Sequence, residues 1–281
     1  MTIERFAREF LEILDGALSR GTLYLYSICF RHFITCVGDK PLKLVRTLDV
    51  ERFKADRLKN VSAVRVNIEF RTLKAAFSRA VKWGLIDVNP FASSSQVKVP
   101  FSEPSYLSRE DFALILGSTI EEKFREILIF AVLTMMRLGE ILSLEWADVD
   151  MERQLIHVRN KMAFVVKGGK PRTIPMSKRV HDVLSARENR EGLVFATPDG
   201  SQRSTRSISR RFKRLVRTSG ISEKIHFHSL RHTGASWLAQ MGVPLFEIQK
   251  ILGHSSPLVT QIYSHLADEN LKRAVEKINW N

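Results

Sequence analysis

The sequence has few cysteines and no long apolar run. Cys29 and Cys36 are the only cysteines in 281 residues, too few for a disulfide framework and without the spacing of a zinc site. We interpret them as small apolar residues in a reducing compartment. The longest apolar run, Ile127 to Met136, is well short of the ~20 residues that cross a bilayer, and no signal peptide is visible. These absences predict a cytoplasmic protein without a disulfide scaffold or a membrane span.

Acidic residues are also in short supply. The chain has 30 Asp+Glu against 44 Lys+Arg, which gives a net charge of +14. The basic excess is spread evenly, so both halves of the chain can face a polyanion. Nucleic acid is the favoured partner, and an anionic membrane surface is the weaker alternative.

The first hundred residues predict a helical domain. Apolar residues recur there at helical spacing in several segments, the last of which runs from Ser62 to about Trp83. A small, polar stretch that ends in proline follows and has the composition of a linker. The sequence therefore predicts one domain over residues 1–91 and a linker over residues 92–106.

The rest of the chain, residues 107–281, predicts helices around a small sheet. Ser108 is a candidate N-cap followed by acidic residues, and a long helical stretch from Glu121 leads to Arg137. Short strand patterns then occupy residues 155–158, 163–166 and 173–175 before helix returns at Lys178. A Gly-Gly turn flanked by lysines joins the last two strands.

Two arginines are candidates for binding a phosphodiester. Its pentacoordinate transition state gains negative charge, and the planar fork of arginine can contact two phosphate oxygens. Arg137 and Arg231 suit this role, although most arginines of a basic protein are solvated. Arg137 follows a buried helical run, so Glu140 can pair with it, either as a structural salt bridge or as the group that orients it.

Histidines and a tyrosine are candidates for proton transfer and nucleophilic attack. His228 and Arg231 are three residues apart and share a helical face. A neutral imidazole can accept a proton and an imidazolium can stabilise charge, but His226 and His232 are also close and residue type does not choose among the three. No carboxylate or cysteine accompanies them at metal-ligand spacing. Tyr263 needs nearby cations or a base to lose its proton.

Two further basic segments suit a DNA substrate. Lys167 and Lys170 flank the Gly-Gly turn, and either could protonate a leaving 5′ oxygen. Further along, a helical segment from Ser204 to Thr218 contains six basic residues and no acidic one: Arg206, Arg210, Arg211, Lys213, Arg214 and Arg217. So one-sided a run favours contact with DNA phosphates or a groove over a solvated helix face.

These motifs together resemble those of the tyrosine recombinases, the phage integrase and Xer family. The segment from Thr134 to Glu140 is similar to Thr-Gly-Leu/Met-Arg-x-x-Glu, with Met135 where glycine is common. The segment His228 to His232 matches His-x-Leu-Arg-His. A Leu-Gly-His triplet precedes Tyr263 at the interval usual in the family.

The lysine-rich turn completes the resemblance. It is similar to the β-hairpin of the family, in which the first lysine is catalytic, so the resemblance selects Lys167. It implies that Tyr263 attacks the scissile phosphate to form a 3′-phosphotyrosyl bond, that His228 assists proton transfer and that Lys167 protonates the leaving oxygen. The implied catalytic set is Arg137, Lys167, His228, Arg231, His254 and Tyr263, supported by Glu140.

The resemblance covers nearly the whole chain and implies a fold and partners. The fold is mainly α, with a helical core-binding domain and an α-rich catalytic domain that carries a small antiparallel β-sheet. Such an enzyme acts on two double-stranded DNA sites through a Holliday junction. It works as a homotetramer joined by the helix after Tyr263, in some cases with an accessory DNA-bending protein, and needs neither ATP nor metal. We expect it to be nucleoid-associated.

Two other functions fit part of the pattern. A type IB topoisomerase would relax DNA with the same constellation, but the compact two-domain plan argues against it. A catalytically idle DNA-binding protein is the second alternative, and the complete set of six residues argues against that. Integration or excision of a mobile element and resolution of DNA multimers both stay open.

Overall fold

The computed structural model of the chain describes residues 1–100, 103–161, 171–187, 190–267 and 275–276. The chain divides into two compact units, Met1–Ser102 and Glu103–Asn281, and this division falls inside the stretch predicted as a linker. Within the described residues, no helix has the length and apolar character required to cross a membrane.

The first unit is a bundle of four helices in its described part: α1 (Ile3–Ile13), α2 (Arg20–Val37), α3 (Thr47–Leu58) and α4 (Ala63–Lys82). Ser19 and Ser62 cap α2 and α4 through their side chains. The core is rich in phenylalanines, several of which meet edge to face, among them Phe6, Phe10, Phe30, Phe33, Phe53 and Phe77.

The first part of the predicted linker is bonded to this bundle. The side-chain amide of Asn67 donates to the Val97 carbonyl and accepts from the Val97 N–H, both at 2.8 Å. Lys54 Nζ donates to the Ser95 carbonyl at 2.8 Å. Residues 92–97 are therefore held by α3 and α4, although their composition is that of a linker.

The second unit surrounds a small sheet with helices. The helices are α5 (Arg109–Gly117), α6 (Glu122–Thr134), α7 (Leu138–Leu142), α8 (Lys178–Ser185), α9 (Thr205–Thr218), α10 (Ser229–Gln240) and α11 (Leu245–Leu252). Short 3-10 segments follow at Pro257–Val259 and Gln261–Ala267. The strands are β1 (Val149–Asp150), β2 (Leu155–Val158) and β3 (Arg172–Pro175), antiparallel in that order, with Ile156 opposite Ile174.

The strand predictions have mixed outcomes. The strands predicted at 155–158 and 173–175 are confirmed as β2 and β3, and the short β1 was not predicted. The strand predicted at 163–166 lies outside the described residues.

The helix expected to run from Glu121 to Arg137 is interrupted, which corrects that prediction. Helix α6 ends at Thr134 because Met135 adopts a left-handed conformation, with φ of 52°. Arg137 instead precedes α7 as its N-cap. Left-handed geometry favours glycine, which explains in physical terms why glycine is common at this position in the resembled motif.

A buried cluster joins this break to the end of the described chain. Met135 packs with Ala235 and Ala239 of α10, Ile248 and Leu252 of α11, and Tyr263. Helix α10 lies close to α6, since a Cβ placed on Gly234 would lie 2.2 Å from the Val132 carbonyl oxygen. The fold therefore holds the candidate nucleophile against the segment that carries Arg137.

Candidate active site

Arg137 and Glu140 pair at the start of α7. The backbone N–H of Arg137 donates to Glu140 Oε2 at 2.9 Å, and Arg137 Nη1 donates to Oε1 at 2.8 Å. The Glu140 side chain is 1% exposed and that of Arg137 is 23% exposed. The carboxylate thus fixes the arginine, while part of the Arg137 side chain stays accessible.

Arg172 on β3 also binds Glu140, although it is not among the site residues predicted from the sequence. Its Nη1 and Nη2 donate to Glu140 Oε1 and Oε2 at 3.1 and 2.6 Å, and its Nε donates to the Ile251 carbonyl at 2.9 Å. The sequence contains a sign of this role. Arg172 lies two residues before Ile174 of a predicted strand, and the two therefore share its inward face, where a charged side chain needs a buried partner.

Gly253 makes room for this arginine at the end of α11. Its φ is +66°, and a Cβ at this position would lie 2.7 Å from Arg172 Cδ. The glycine of the Leu-Gly-His triplet is therefore required both by its left-handed backbone and by the close approach of a side chain.

Glu140 is the anion shared by two arginines. Burial would raise the pKa of its carboxyl, but the hydrogen bonds and charge of Arg172, together with the hydrogen bonds from Arg137, hold that pKa below its usual value. Glu140 therefore stays ionised and orients both guanidinium groups.

Arg231 is the second predicted phosphate-binding cation and is only 3% exposed. Its Nη1 and Nη2 donate to the carbonyls of Met135 and Leu252 at 2.7 and 2.6 Å. Burial, followed by repulsion from Arg137 and Arg172, lowers the pKa of Arg231 to about 9. An anion bound beside these three arginines would relieve that repulsion, so the site favours a phosphate.

Tyr263 is buried near Arg231, at 1% exposure. Its hydroxyl oxygen lies 2.6 Å from Nδ1 of His232. Burial raises the pKa of Tyr263 to about 12, against the opposing charge of Arg231. The phenol therefore keeps its proton in the resting site.

The two predicted catalytic histidines lie in the same part of the fold, near the arginines and His232. His254 Nδ1 lies 3.0 Å from Thr260 Oγ1, and burial, followed by the charges of Arg231 and Arg137, lowers the pKa of His254 to about 4. His228 precedes α10 and is exposed; its ring meets that of His232 edge to face, with centroids 5.0 Å apart. One site thus contains Arg137, His228, Arg231, His254 and Tyr263, supported by Glu140.

Some predicted features lie outside the described residues. Lys167 and Lys170 are among them, as are residues 268–274 and 277–281, which belong to the helix predicted as a tetramer contact. Within the part of the chain that is described, no three His, Cys, Asp or Glu side chains are grouped so as to hold a metal ion.

The basic residues of α9 divide into two groups. Arg211 pairs with Glu121, Lys213 donates to the Glu223 carbonyl, and Arg217 pairs with the Glu223 carboxylate. The remaining three are exposed, four residues apart along one face, and form no ion pair with another described residue: Arg206, Arg210 and Arg214. This second group is the one free to meet an external anion.

Known proteins are similar to this chain in sequence. Residues 111–270 match the phage integrase family. The chain is 29% identical to the tyrosine recombinase XerC of Pediococcus pentosaceus, over 91% of this chain and 90% of that protein. It is 30% identical to the tyrosine recombinase XerA of Pyrococcus furiosus, over 99% of this chain and 93% of that protein.

Solved structures show the same fold. The Tn1549 transposon integrase in complex with transposon right end DNA superposes with a TM-score of 0.79 at 22% identity, over 99% of both chains. A lambda integrase tetramer bound to a Holliday junction gives a TM-score of 0.75 at 21% identity, over 92% of this chain and 78% of that chain. The predicted fold, mainly α with a small antiparallel sheet, is confirmed.

The family match and the similar recombinases place the chain in the class of the tyrosine recombinases, which transfer DNA strands at specific sites. The chain belongs to the phage integrase family. The prediction of a site-specific DNA recombinase is confirmed, and these comparisons support neither the topoisomerase nor the idle DNA-binding alternative.

Proposed function

We propose that this recombinase cleaves and rejoins DNA with Tyr263 as its nucleophile. The observation that carries the proposal is the burial of this tyrosine beside Arg231, with its hydroxyl oxygen within hydrogen-bond distance of His232. A lone buried tyrosine is usually a core aromatic. Burial beside Arg231, which is repelled by Arg137 and Arg172, fits a phosphate-binding site better than a structural core.

The chemical step assigns a role to each residue of the site. The Tyr263 oxygen bonds to phosphorus, the bond from phosphorus to the 5′ oxygen breaks, and a 3′-phosphotyrosyl linkage results. Arg137, Arg231 and His254 stabilise the charge that develops on the phosphate. His228 assists removal of the phenolic proton, and Lys167 protonates the 5′ oxygen.

The second half of the reaction reverses the first on a partner strand. The 5′ hydroxyl of that strand attacks the phosphotyrosyl bond and releases Tyr263. Two such rounds pass through a Holliday junction, and the phosphotyrosyl bond conserves the energy of the cleaved strand. The lambda integrase tetramer on a Holliday junction supports a homotetramer on two DNA sites, joined through the segment that follows Tyr263.

DNA binding is assigned to both units. Residues 1–91 form the core-binding domain and residues 107–281 the catalytic domain, and the even distribution of basic charge supports a DNA contact by each. In the catalytic domain the exposed face of α9 contacts phosphates. The product is integration or excision of a mobile element, or resolution of DNA multimers, in the cytoplasm and with an accessory DNA-bending protein where the sites require one.

Covalent capture tests this proposal. The protein is incubated with sheared DNA of its source organism and denatured, and the ends of protein-linked fragments are sequenced. We expect one recurrent end sequence with wild type and with the control Tyr24→Phe, whose ring is exposed, and none with Tyr263→Phe. Equal capture by wild type and Tyr263→Phe would contradict the proposed nucleophile, and dispersed ends would contradict site specificity.

A further inference from the structure

His232 is a half-buried histidine without a role in the proposed chemical step. It lies on α10 directly after Arg231, and its Nδ1 is 2.6 Å from the Tyr263 hydroxyl oxygen. The two rings are 6.0 Å apart between centroids and tilted by 49°. This contact involves the one atom of Tyr263 that reacts.

The surroundings fix the tyrosine ring but leave the direction of its hydroxyl hydrogen undetermined. The ring is enclosed by apolar side chains of α10 and α11 and by Met135. A phenol can rotate its hydrogen within such a pocket, so a polar partner is needed to orient the oxygen lone pairs. His232 is that partner.

The charge state of His232 decides the direction of the hydrogen bond. Burial lowers the pKa of His232 to about 4, and the neighbouring groups His228, Arg231, His226 and His254 add to this effect. A neutral imidazole has one bare nitrogen. If that nitrogen is Nδ1, the phenol donates to it, which is the direction that prepares the oxygen for attack.

We propose that His232 is a positioning residue for Tyr263, whose hydroxyl donates to the unprotonated Nδ1 and is thereby aimed at the scissile phosphate. This proposal rests on the proposed nucleophilic role of Tyr263. His232 acts by orientation, because the wide separation between its pKa, about 4, and that of Tyr263, about 12, keeps the proton on the phenol at rest. The proton stays in this hydrogen bond at rest, and it leaves with the assistance of His228 as the bond to phosphorus forms.

The direction of the hydrogen bond can be measured without DNA. NMR of protein labelled with nitrogen-15 in histidine identifies which ring nitrogen of His232 carries the proton. We expect the Nε2–H tautomer in wild type, and a shifted Nδ1 resonance in Tyr263→Phe because the donor is lost. A proton on Nδ1 in wild type, or an unchanged resonance in Tyr263→Phe, would overturn the proposal.

Two substitutions then test the consequence for reactivity. In His232→Asn the amide oxygen can take the place of Nδ1 as acceptor, whereas His232→Leu has similar bulk and no acceptor. The probe is the same sheared DNA of the source organism, and the readouts are the initial rate of covalent capture and the binding affinity for that DNA. Misplacement of a reacting atom costs on the order of 100-fold in rate, so we expect that loss in His232→Leu, substantial rescue in His232→Asn and unchanged affinity in both.

The outcomes separate this proposal from the one on which it rests. Capture by His232→Leu at the wild-type rate, with none by Tyr263→Phe, would overturn the role of His232 and leave the nucleophile in place. Equal loss in His232→Leu and His232→Asn would also overturn positioning. Capture by Tyr263→Phe would overturn the nucleophile and the role of His232 together. If His232→Leu does not fold, the tautomer of His232 in wild type and the capture rate of His232→Asn still test the positioning role.

Discussion

Arg172 and Glu140 form a two-point ion pair in which both guanidinium Nη atoms meet both carboxylate oxygens, at 3.1 and 2.6 Å. Arg137 binds the same carboxylate. One buried anion therefore links β3 to the residue that precedes α7. In sequence, β3 begins five residues after Lys167, so this pair anchors the strand that follows the proposed proton donor.

Loss of Arg172 should destabilise the second unit. Removing one partner of a buried ion pair costs about 3–5 kcal/mol because the other charge is left uncompensated. Arg137 still binds Glu140, so we expect Arg172→Met to lower the free energy of unfolding by about 3 kcal/mol, measured by urea denaturation. The control Arg153→Met, at an exposed position, should change it by less than about 0.5 kcal/mol. Equal changes in the free energy of unfolding for Arg172→Met and Arg153→Met would show that the ion pair between Arg172 and Glu140 does not stabilise the fold.

Substitutions at Met135 should reverse the usual order of alanine and glycine. Met135 is 3% exposed and has a φ of 52°. Truncating a buried methionine costs about 2–5 kcal/mol, and left-handed backbone costs a non-glycine residue about 1–2 kcal/mol. Both variants should be destabilised, with Met135→Gly about 1 kcal/mol more stable than Met135→Ala.

The matched control lies in the regular part of α6. Ala131→Gly should lower stability by about 2 kcal/mol, because the ordinary helix effect of about 1 kcal/mol adds to the loss of a buried methyl group. If the alanine variant of Met135 were the more stable one in thermal unfolding, the strain assigned to this residue would be absent.

The sequence predicts the helices and strands that carry this site better than the long-range contacts between their side chains. Ser62 and Ser108 mark helix starts correctly because an N-cap signal is local. The break at Met135 is missed, since methionine is a good helix former and only tertiary packing against α10 compensates its left-handed geometry. The contacts of Arg172 and His232 join residues 32 and 31 positions apart, and no local pattern encodes such a pairing.

Stability should fall as pH decreases from neutral towards 4. Burial lowers the pKa of His232 and His254 from 6.5 to about 4. Between these values the unfolded chain binds more protons than the folded one, so the free energy of unfolding rises with pH across this window. We expect a lower melting temperature at pH 5 than at pH 7, and a smaller difference in the double variant His232→Asn/His254→Asn. The same difference in both proteins would contradict the depressed pKa values.

The exposed arginines of α9 should set part of the salt dependence of DNA binding. Each lost phosphate contact reduces the slope of log K against log salt by about 0.9. We expect reductions of about this size for Arg210→Gln and Arg214→Gln, measured on duplex DNA by titration at several salt concentrations. Lys213→Gln removes the same charge from the same helix, but Lys213 already binds the Glu223 carbonyl, so its slope should match wild type. A reduced slope for Lys213→Gln with unchanged slopes for the arginine variants would reverse the assignment.

The identity of the residue that becomes linked to DNA decides whether Tyr263 is the nucleophile. Captured complexes are trimmed with nuclease and digested with protease, and the peptide that carries a nucleotide is sequenced by mass spectrometry. We expect a 3′-phosphonucleotide on Tyr263 and on no other residue. A nucleotide on another tyrosine, on a serine, or on no residue of complexes that wild type has captured would contradict it.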